Sequence, residues 1–583
     1  MSKFIHLYLS LFFLGYGTLL LAQEQTQEVR ETVTVVKSYN PEIEPSKKEP
    51  LLPKKTRFDK KEAANFTYII PTYPVFDAHI PKFAAPYLQW VNPVSSGFSN
   101  HLKLVAGNNA TLKLDLNHNH YVNSNLNYGI KASYDHLSGM IDGYSYKPFN
   151  EELSLGSVLN FNTNNAVSTL YLSYQNQSFN FYGAPIMYGI APEEKSMTQK
   201  YKRLIADVDY QFYSGVIDYL QLNFHSISDV TDSNELNFEG AALSTVNLPS
   251  SQIRLLTTLD YLKGGFNNAS LTQATNVLPS PYTYLTLEVK PQLAYSKEKL
   301  GLLIGLDFNY LNQHVDLKES KLNIYPAIDA TYDLSNEVTL TCSLKGNTSL
   351  NSFSNMTLIN PFLSPTLELK PSLKLYDFGV GLEANSGKLL NLKLNAAYSR
   401  VKDKPLMMLN YQNYFRTDSG PYLNSNLKSF QLVYDQLDQL SVTGALMIRP
   451  TDDVTLNTGI QYNKNKTLKE EEAWNMPNLT AFGVLNAKLS ESWMLNTQLD
   501  YTGSRKDNYV SVVENILPGA YPNVSYDLEA FVTMDASLYY QYNDSWSFEL
   551  KAKNITNNQY QLWYEYPNLG ATLSIGAQYH FDY

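Results

Sequence analysis

The sequence has one cysteine, few charged residues and no long apolar run beyond its first 22 residues. The lone Cys342 excludes an intramolecular disulfide and a zinc site built on cysteines. No later segment approaches the roughly 20 apolar residues of a membrane helix, so a helical membrane protein is excluded. Charged residues make up 17% of the chain and the formal net charge is -10, which argues against a nucleic-acid-binding protein.

What the chain does have is length and aromatic side chains. It contains 583 residues, among them 45 Tyr, 26 Phe and 5 Trp, and 44% of its residues are hydrophobic. That content can bury a large apolar surface, so disorder throughout is excluded. Length alone favours three or four domains of average size, unless the chain forms one large barrel.

The first 22 residues have the features of an export signal. Lys3 provides a positive start, Phe4 to Leu21 is apolar with small interruptions, and a small residue precedes Gln23. This order is typical of a secretory signal peptide. We therefore expect the mature protein to be exported, which in a bacterium means the periplasm, the outer membrane or the medium.

Residues 23–96 differ in composition from everything that follows. Nine of the 27 prolines lie between Pro41 and Pro93. Proline lacks a backbone donor and is excluded from helix interiors and central strands, so we predict an extended periplasmic arm. Within this arm is one short β-forming run that can add itself as a strand to the sheet of another protein. Its residues are Glu31, Thr32, Val33, Thr34 and Val35.

From about Phe98 onward, apolar and polar residues alternate in segment after segment. A typical segment is 126–134, where Leu126, Tyr128 and Ile130 alternate with polar residues. Because successive side chains of a strand point to opposite faces, each segment forms a strand with one apolar and one polar face.

The connections between these segments alternate between short and long. Short ones include 163–165 and 490–492, and long ones include 178–200 and 505–530. Most segments have 10–13 residues, which is enough to cross a bilayer at the usual tilt. Short periplasmic turns and long outer loops are typical of a transmembrane barrel. The prediction is an all-β fold, an antiparallel barrel of about 22 strands (20–24) over residues 97–583.

The last strand is predicted to close the barrel against the first, and it is aromatic on one face. Closure would remove the exposed sheet edges that otherwise aggregate. By the same alternation of faces in an earlier segment, the side chain of Cys342 is predicted to face lipid, as a small apolar residue. The aromatic residues of the closing strand are Tyr579, Phe581 and Tyr583.

Three stretches of the C-terminal half resemble the barrel of TonB-dependent outer-membrane receptors. They read LKP followed by YDFGVGLE (369–383), LKAKNITNNQY (550–560) and LSIGAQYHF (573–581). The resemblance implies an outer-membrane location, contact with lipid and transport of a solute. It also implies that the run 31–35 is a TonB box, the strand through which such receptors contact TonB.

The family's plug domain has no recognisable counterpart in residues 23–96, which lack its glycine-rich signatures. A barrel of about 22 strands has a wide interior that must be filled or blocked. The arm, inward-folded outer loops, or an envelope protein partner could do this. Three functions therefore stay open: receptor-type transport or a role in an envelope complex, a passive porin-like channel, and a structural barrel subunit.

Catalysis is not predicted, because no GxSxG, HExxH or Walker motif occurs. No cofactor is expected, and His118 with His120 lacks the further ligands that a metal site needs. Ligand contacts are instead expected on the outer loops, where aromatic residues concentrate. The candidates are Phe179, Phe181, Tyr182 and Tyr188.

Overall fold

The computed structural model describes residues 100–144, 146–183, 198–266, 281–315, 318–365, 367–387, 389–409, 429–509 and 524–581. The predicted export signal, the proline-rich arm and its β-forming run lie outside these residues. The one helix among them, α1, has seven residues (Phe353–Ile359). No helix in this part of the chain is long and apolar enough to cross a membrane.

The described residues form 26 strands, numbered in chain order. They are β1 Asn100–Gly107, β2 Leu112–Asn123, β3 Leu126–Ser138, β4 Phe149–Asn162, β5 Ala166–Asn180, β6 Thr198–Phe212, β7 Tyr219–Ser228, β8 Ser233–Asn247, β9 Ser251–Phe266, β10 Tyr282–Lys297, β11 Leu300–His314, β12 Lys318–Asp333, β13 Val338–Ser349, β14 Ser372–Ser386, β15 Leu390–Leu409, β16 Phe430–Thr451, β17 Val454–Thr467, β18 Leu479–Lys488, β19 Trp493–Thr502, β20 Arg505–Tyr509, β21 Val524–Leu528, β22 Phe531–Gln541, β23 Trp546–Lys553, β24 Gln561–Trp563, β25 Tyr566–Pro567 and β26 Thr572–Phe581.

Twenty-two of these strands form one closed antiparallel barrel. Each barrel strand pairs with the next one along the chain, and β26 closes the ring by pairing with β1, where Tyr579 lies opposite Leu102. The other four strands pair as two small hairpins, β20 with β21 and β24 with β25. The predicted fold class is confirmed, including the number of about 22 strands.

The two faces of the barrel wall have opposite character. On β1, Leu102 and Leu104 are each 48% exposed, and Lys103 between them turns to the lumen, where it pairs with Glu549 (2.5 Å). Apolar side chains exposed in this alternation form the surface that faces lipid in a membrane barrel. Cys342 belongs to this outer face, because it is exposed and lies opposite Val380.

The connections divide by length between the two ends of the barrel. One end, the turn rim, carries ten connections of two to six residues and the described ends of β1 and β26. The other end, the loop rim, carries eleven connections of three to 28 residues. The predicted pattern of short and long links is confirmed except at 108–111, 229–232 and 315–317, which are short connections on the loop rim. Outer-membrane barrels place their long loops outside the cell.

Twelve of the 22 barrel strands are longer than the predicted 10–13 residues. The longest are β15 and β16. They have 20 and 22 residues, with a register shift between Val401 and Lys404. Alternation breaks at this irregularity, so the sequence pattern does not predict the full length of β15 or the connection 410–429. Next to the shift, Leu406 and Leu437 pack with Trp474 in a small buried cluster.

Candidate functional site

The connection 350–371 between β13 and β14 folds into the barrel, and we call it the inner loop. It carries α1, whose N-cap Ser352 accepts the N–H of Asn355 with its hydroxyl oxygen (3.1 Å). The inner loop bonds to inward side chains of β6, β8 and β10, which lie seven, five and three strands away from β13. A segment that reaches these side chains must cross the lumen.

The carboxylate of Glu235 holds the first turn of α1. Glu235 lies on β8, faces the lumen and is only 4% exposed. Its two oxygens accept the backbone N–H groups of Phe353 (2.7 Å) and Ser354 (3.0 Å). The first N–H groups of a helix have no partner inside the helix, and an ionised carboxylate is a strong acceptor for them. Glu235 therefore fixes both the position and the direction of α1.

Two neighbouring side chains of β6 bind the end of α1 and the residues just after it. Tyr201 is fully buried and donates its hydroxyl to the carbonyl of Pro361 (2.9 Å). Arg203 donates to the hydroxyl of Thr357 (3.0 Å), and its guanidinium lies 5.1 Å from the centre of the Tyr201 ring. Leu204, which follows Arg203 on β6, faces lipid. Because successive side chains of a strand alternate between its faces, Tyr201 and Arg203 point into the barrel.

The returning half of the inner loop is bound by two further tyrosines. Tyr284 on β10 donates its hydroxyl to the carbonyl of Leu369 (2.5 Å). Tyr434 on β16 donates to the carbonyl of Glu368 (3.0 Å) and accepts the N–H of Lys370 (3.1 Å). These hydroxyls provide hydrogen-bond partners for backbone groups that are shielded from water. The loop can therefore be buried with these carbonyls hydrogen-bonded.

Phe362 of the inner loop is the centre of an aromatic cluster at the loop rim. Its ring stacks on that of Tyr566, with centroids 3.7 Å apart and an interplanar angle of 19°. The rings of Phe179, Phe181 and Tyr182 meet it edge-on at 5.7, 6.0 and 5.8 Å. Such pairs each contribute roughly 0.5–1.5 kcal/mol beyond burial, so the cluster fastens the loop to the barrel mouth.

The cluster includes three of the four predicted ligand contacts. Phe179 and Phe181 are 3% and 0% exposed. Tyr182 donates its hydroxyl to the carbonyl of Pro567 (2.9 Å), and burial raises the pKa of this phenol. The structure shows a packing role for them, and their ligand contact stays a prediction. The fourth residue, Tyr188, lies outside the described residues.

The other predicted site residues divide between the closing strand and the arm. Tyr579 is 39% exposed on the lipid face of β26, and its ring centre is 4.9 Å from that of Trp546. Phe581 is the last residue of the same strand. Tyr583 and the run 31–35 lie outside the described residues, so the TonB-box assignment stays a prediction.

Between the inner loop and the turn rim, the inward face of β6–β11 is acidic, and we call it the acidic arc. His225 lies 3.2 Å from Asp207, and Lys290 lies 2.6 Å from Glu288. Carboxylates that line a lumen favour cations over anions. The inward carboxylates of the acidic arc are Asp207, Asp209, Glu239, Asp260, Glu288 and Asp307.

A cavity of about 700 Å³ lies against the inward faces of β13–β17. Asn355 and Met356 of α1 form part of its lining, so it adjoins the inner loop. Lys393 and Glu383 also line it and pair with each other (3.0 Å). Most of its lining residues have polar side chains.

The histidine pair lies on the outward face of the barrel wall. His118 and His120 continue the outward row of Leu116 on β2, and their ring centres lie 6.3 Å apart. In the described ranges, no group of three or more His, Cys, Asp or Glu side chains is arranged to hold a metal ion.

Sequence reasoning did not identify the residues that bind the inner loop. Glu235, Tyr282 and Tyr284 occupy inward positions at the loop-rim ends of their strands, where a polar residue is unremarkable. The one available signal is the pair of tyrosines on the face otherwise occupied by polar residues. Their partners are backbone groups of a distant loop, and alternation along a strand carries no information about these.

Comparison with solved structures assigns the fold. The siderophore receptor PirA from Acinetobacter baumannii superposes with a TM-score of 0.61 at 12% identity, over 83% of this chain and 80% of that one. The FrpB iron transporter from Neisseria meningitidis gives 0.60 at 10% identity, over 84% and 82%. The copper transporter OprC gives 0.58 at 11% identity, over 83% and 80%.

The chain has the barrel fold of these proteins. By sequence, neither a protein-family profile nor a curated protein matches it. The predicted resemblance to the barrels of TonB-dependent receptors is thus confirmed for the fold, and the apolar outer face is the lipid-facing surface of a membrane barrel. The cargo differs among the three similar proteins, so the fold alone does not select one.

Proposed function

We propose that the chain transports a solute across the outer membrane in the manner of a TonB-dependent receptor, with the inner loop as the barrier at the outer mouth. The observation that carries this proposal is the inner loop itself, held across the lumen by Glu235, Tyr201 and Tyr284. A 22-stranded barrel without a barrier would breach the membrane. Hydrogen bonds to a loop can break and re-form, as a transport cycle requires.

The acidic arc supports a cationic solute or a solute that carries a cation. Glu239, Asp260 and Asp307 belong to the inward wall between the inner loop and the turn rim, where Asp260 and Asp307 are buried. The names of the similar proteins mention copper, iron and a siderophore. These names do not fix the cargo here, but a positively charged solute fits the same wall.

The test of the barrier is ion conductance in a planar bilayer. We expect the mature protein to be closed, and Glu235→Gln to show open events at least tenfold more often, because the uncharged amide is a weaker acceptor for α1. The matched control is Glu239→Gln, four residues further along the same inward face, which should stay closed. Equally frequent opening of both variants would contradict the proposal that Glu235 holds the inner loop in its closed position.

The same measurement separates the alternative, a passive porin-like channel. The polar cavity beside α1 favours this second function, because it provides space for small hydrated solutes. Steady conductance of the unmodified protein would support the channel and overturn the proposed barrier. A form lacking residues 23–96 adds a second comparison: if it alone conducts, the arm completes the seal.

The proposed contact with TonB rests on the sequence run 31–35. We propose that it pairs with TonB as an added strand. Val33→Pro with Val35→Pro should abolish binding to the C-terminal domain of TonB, because proline removes the donors such pairing uses. The control is Thr32→Val, which keeps every backbone donor. If the unmodified protein does not bind, the TonB-box assignment fails, and a stable envelope partner becomes the interaction to look for.

A further inference from the structure

On strands β15–β17 the lipid-facing surface changes from apolar to basic as it nears the loop rim. On β15 the outward residues are uncharged from Leu390 as far as Tyr398, and on β17 from Val454 as far as Tyr462. The next two outward positions of each strand carry cations. We call these four residues the basic patch: Arg400, Lys402, Lys464 and Lys466.

Strand register brings the basic patch together. Asp438 on β16 lies opposite Arg400 on one side and Lys466 on the other. Arg400 donates two hydrogen bonds of 2.7 Å to the Asp438 carboxylate. One carboxylate among four cations leaves an excess of three positive charges (4 - 1) on this face. Lys464 and Lys466 are both exposed and extend this charge along β17.

The height of the basic patch matches the edge of a membrane. Ten residues separate Leu390 from Arg400 on β15, and ten separate Val454 from Lys464 on β17. At about 3.3 Å per residue and a tilt of roughly 35–45°, ten residues rise about 25 Å, which is the height of the apolar band of such barrels. The basic patch therefore lies at the level of the outer leaflet's head groups.

Aromatic rings lie next to these cations. Tyr398 and Tyr462, just below the patch, are 39% and 47% exposed toward lipid. The Arg400 guanidinium lies 5.8 Å from the centre of the Tyr376 ring, and that ring is 6.1 Å from Tyr398. Amphipathic rings of this kind sit at the boundary between acyl chains and head groups.

We propose that the basic patch binds the phosphate groups of a phosphorylated glycolipid of the outer leaflet. Arginine and lysine are the side chains that bind phosphate oxygens most strongly, and basic clusters at the membrane surface select anionic lipids. The apolar and aromatic surface directly below the cations favours a lipid over a free anion. A bound lipid would place its phosphates on the lysines and its acyl chains along β15–β17.

The test is native mass spectrometry of the full-length protein purified from membranes, titrated with diphosphoryl lipid A. We expect Lys464→Gln with Lys466→Gln to weaken binding at least tenfold while the Arg400–Asp438 pair stays intact. The matched control is Lys202→Gln. Lys202 is an exposed outward lysine on β6 whose registered neighbours are Asn176 and Ser228, and its replacement should leave binding unchanged.

Two further arms identify the ligand chemistry. Lipid A without its phosphates should bind at least tenfold more weakly to the unmodified protein, and inorganic phosphate should not displace diphosphoryl lipid A at equal concentration. Equal binding by the unmodified protein and the double variant overturns the proposal, as does displacement by free phosphate. If the double variant does not fold, each single variant should weaken binding about threefold, and unchanged binding of both also overturns it.

Discussion

Tyr282 on β10 donates its hydroxyl to the carboxylate of Glu235 on β8 (2.6 Å), across the intervening strand. The residue of β9 in register with both is Gly264. A Cβ added at Gly264 would overlap the Tyr282 ring, so the glycine provides the space through which the hydroxyl reaches the carboxylate. A row of three residues on three adjacent strands therefore holds α1 in place.

This row gives a first prediction: Gly264→Ala releases α1. Overpacking at such a site costs roughly 1–3 kcal/mol, and the displaced Tyr282 no longer supports Glu235. In a Cys342→Ser background with Met356→Cys, labelling from outside the cell should become about tenfold faster or more. The control is Gly240→Ala, where the new Cβ would lie 3.5 Å from Leu222 in ordinary contact. Equal labelling rates in the two variants would contradict the role of the row.

The aromatic cluster gives a second prediction, on the returning half of the inner loop. Phe362→Ala removes the stack on Tyr566, and because Phe362 is only partly buried, the loss should be at most about 3 kcal/mol, the lower end of the range for buried rings. Protease Glu-C should then cut after Glu368 much faster than in the unmodified protein. Phe362→Leu should be cut after Glu368 at an intermediate rate. Tyr542→Ala, at the turn rim, should be cut at the rate of the unmodified protein. A slow cut in Phe362→Ala would show that hydrogen bonds alone hold the loop.

Asp507 gives a third prediction, on pH dependence outside the membrane. It lies in the hairpin of β20 and β21 on the loop rim, and burial raises the pKa of its carboxyl to about 6 from the ordinary 3.8. A raised pKa in the folded state means that burying the ionised form is unfavourable. The free energy of unfolding of this hairpin should therefore fall as the pH rises from about 4 through about 6, and change little above that.

The measurement is hydrogen exchange of the β20 amides, corrected for intrinsic rates, at pH 5 and pH 8. Protection should be greater at pH 5 in the unmodified protein. Asp507→Asn should remove this difference. Asp527→Asn, at an exposed position of β21 opposite Lys506, should keep it. Greater protection at pH 8 than at pH 5 would contradict a raised pKa of Asp507.

The barrel could be predicted from the sequence because its determinant is local. Leu126, Tyr128 and Ile130 alternate with polar residues within a few positions, and the lipid and the lumen select those two faces separately. The inner loop could not be predicted in this way. Its position depends on Glu235 and Tyr201, which are more than 100 residues from it in sequence. A buried glutamate on a strand looks like any other polar lumen residue until its partner is known.

The pairing of β1 with β26 also constrains how the molecule can be made. Leu104 lies opposite Ala577, and Asn108 accepts the N–H of Leu573 (2.8 Å), so the two ends of the described chain form one seam. One edge of β1 has no partner until the last strand has been synthesised, so every shorter intermediate exposes two unpaired sheet edges. Loss of the final ten residues would thus leave an unsealed sheet, an all-or-none failure of assembly that no amount of stability in the other strands can offset.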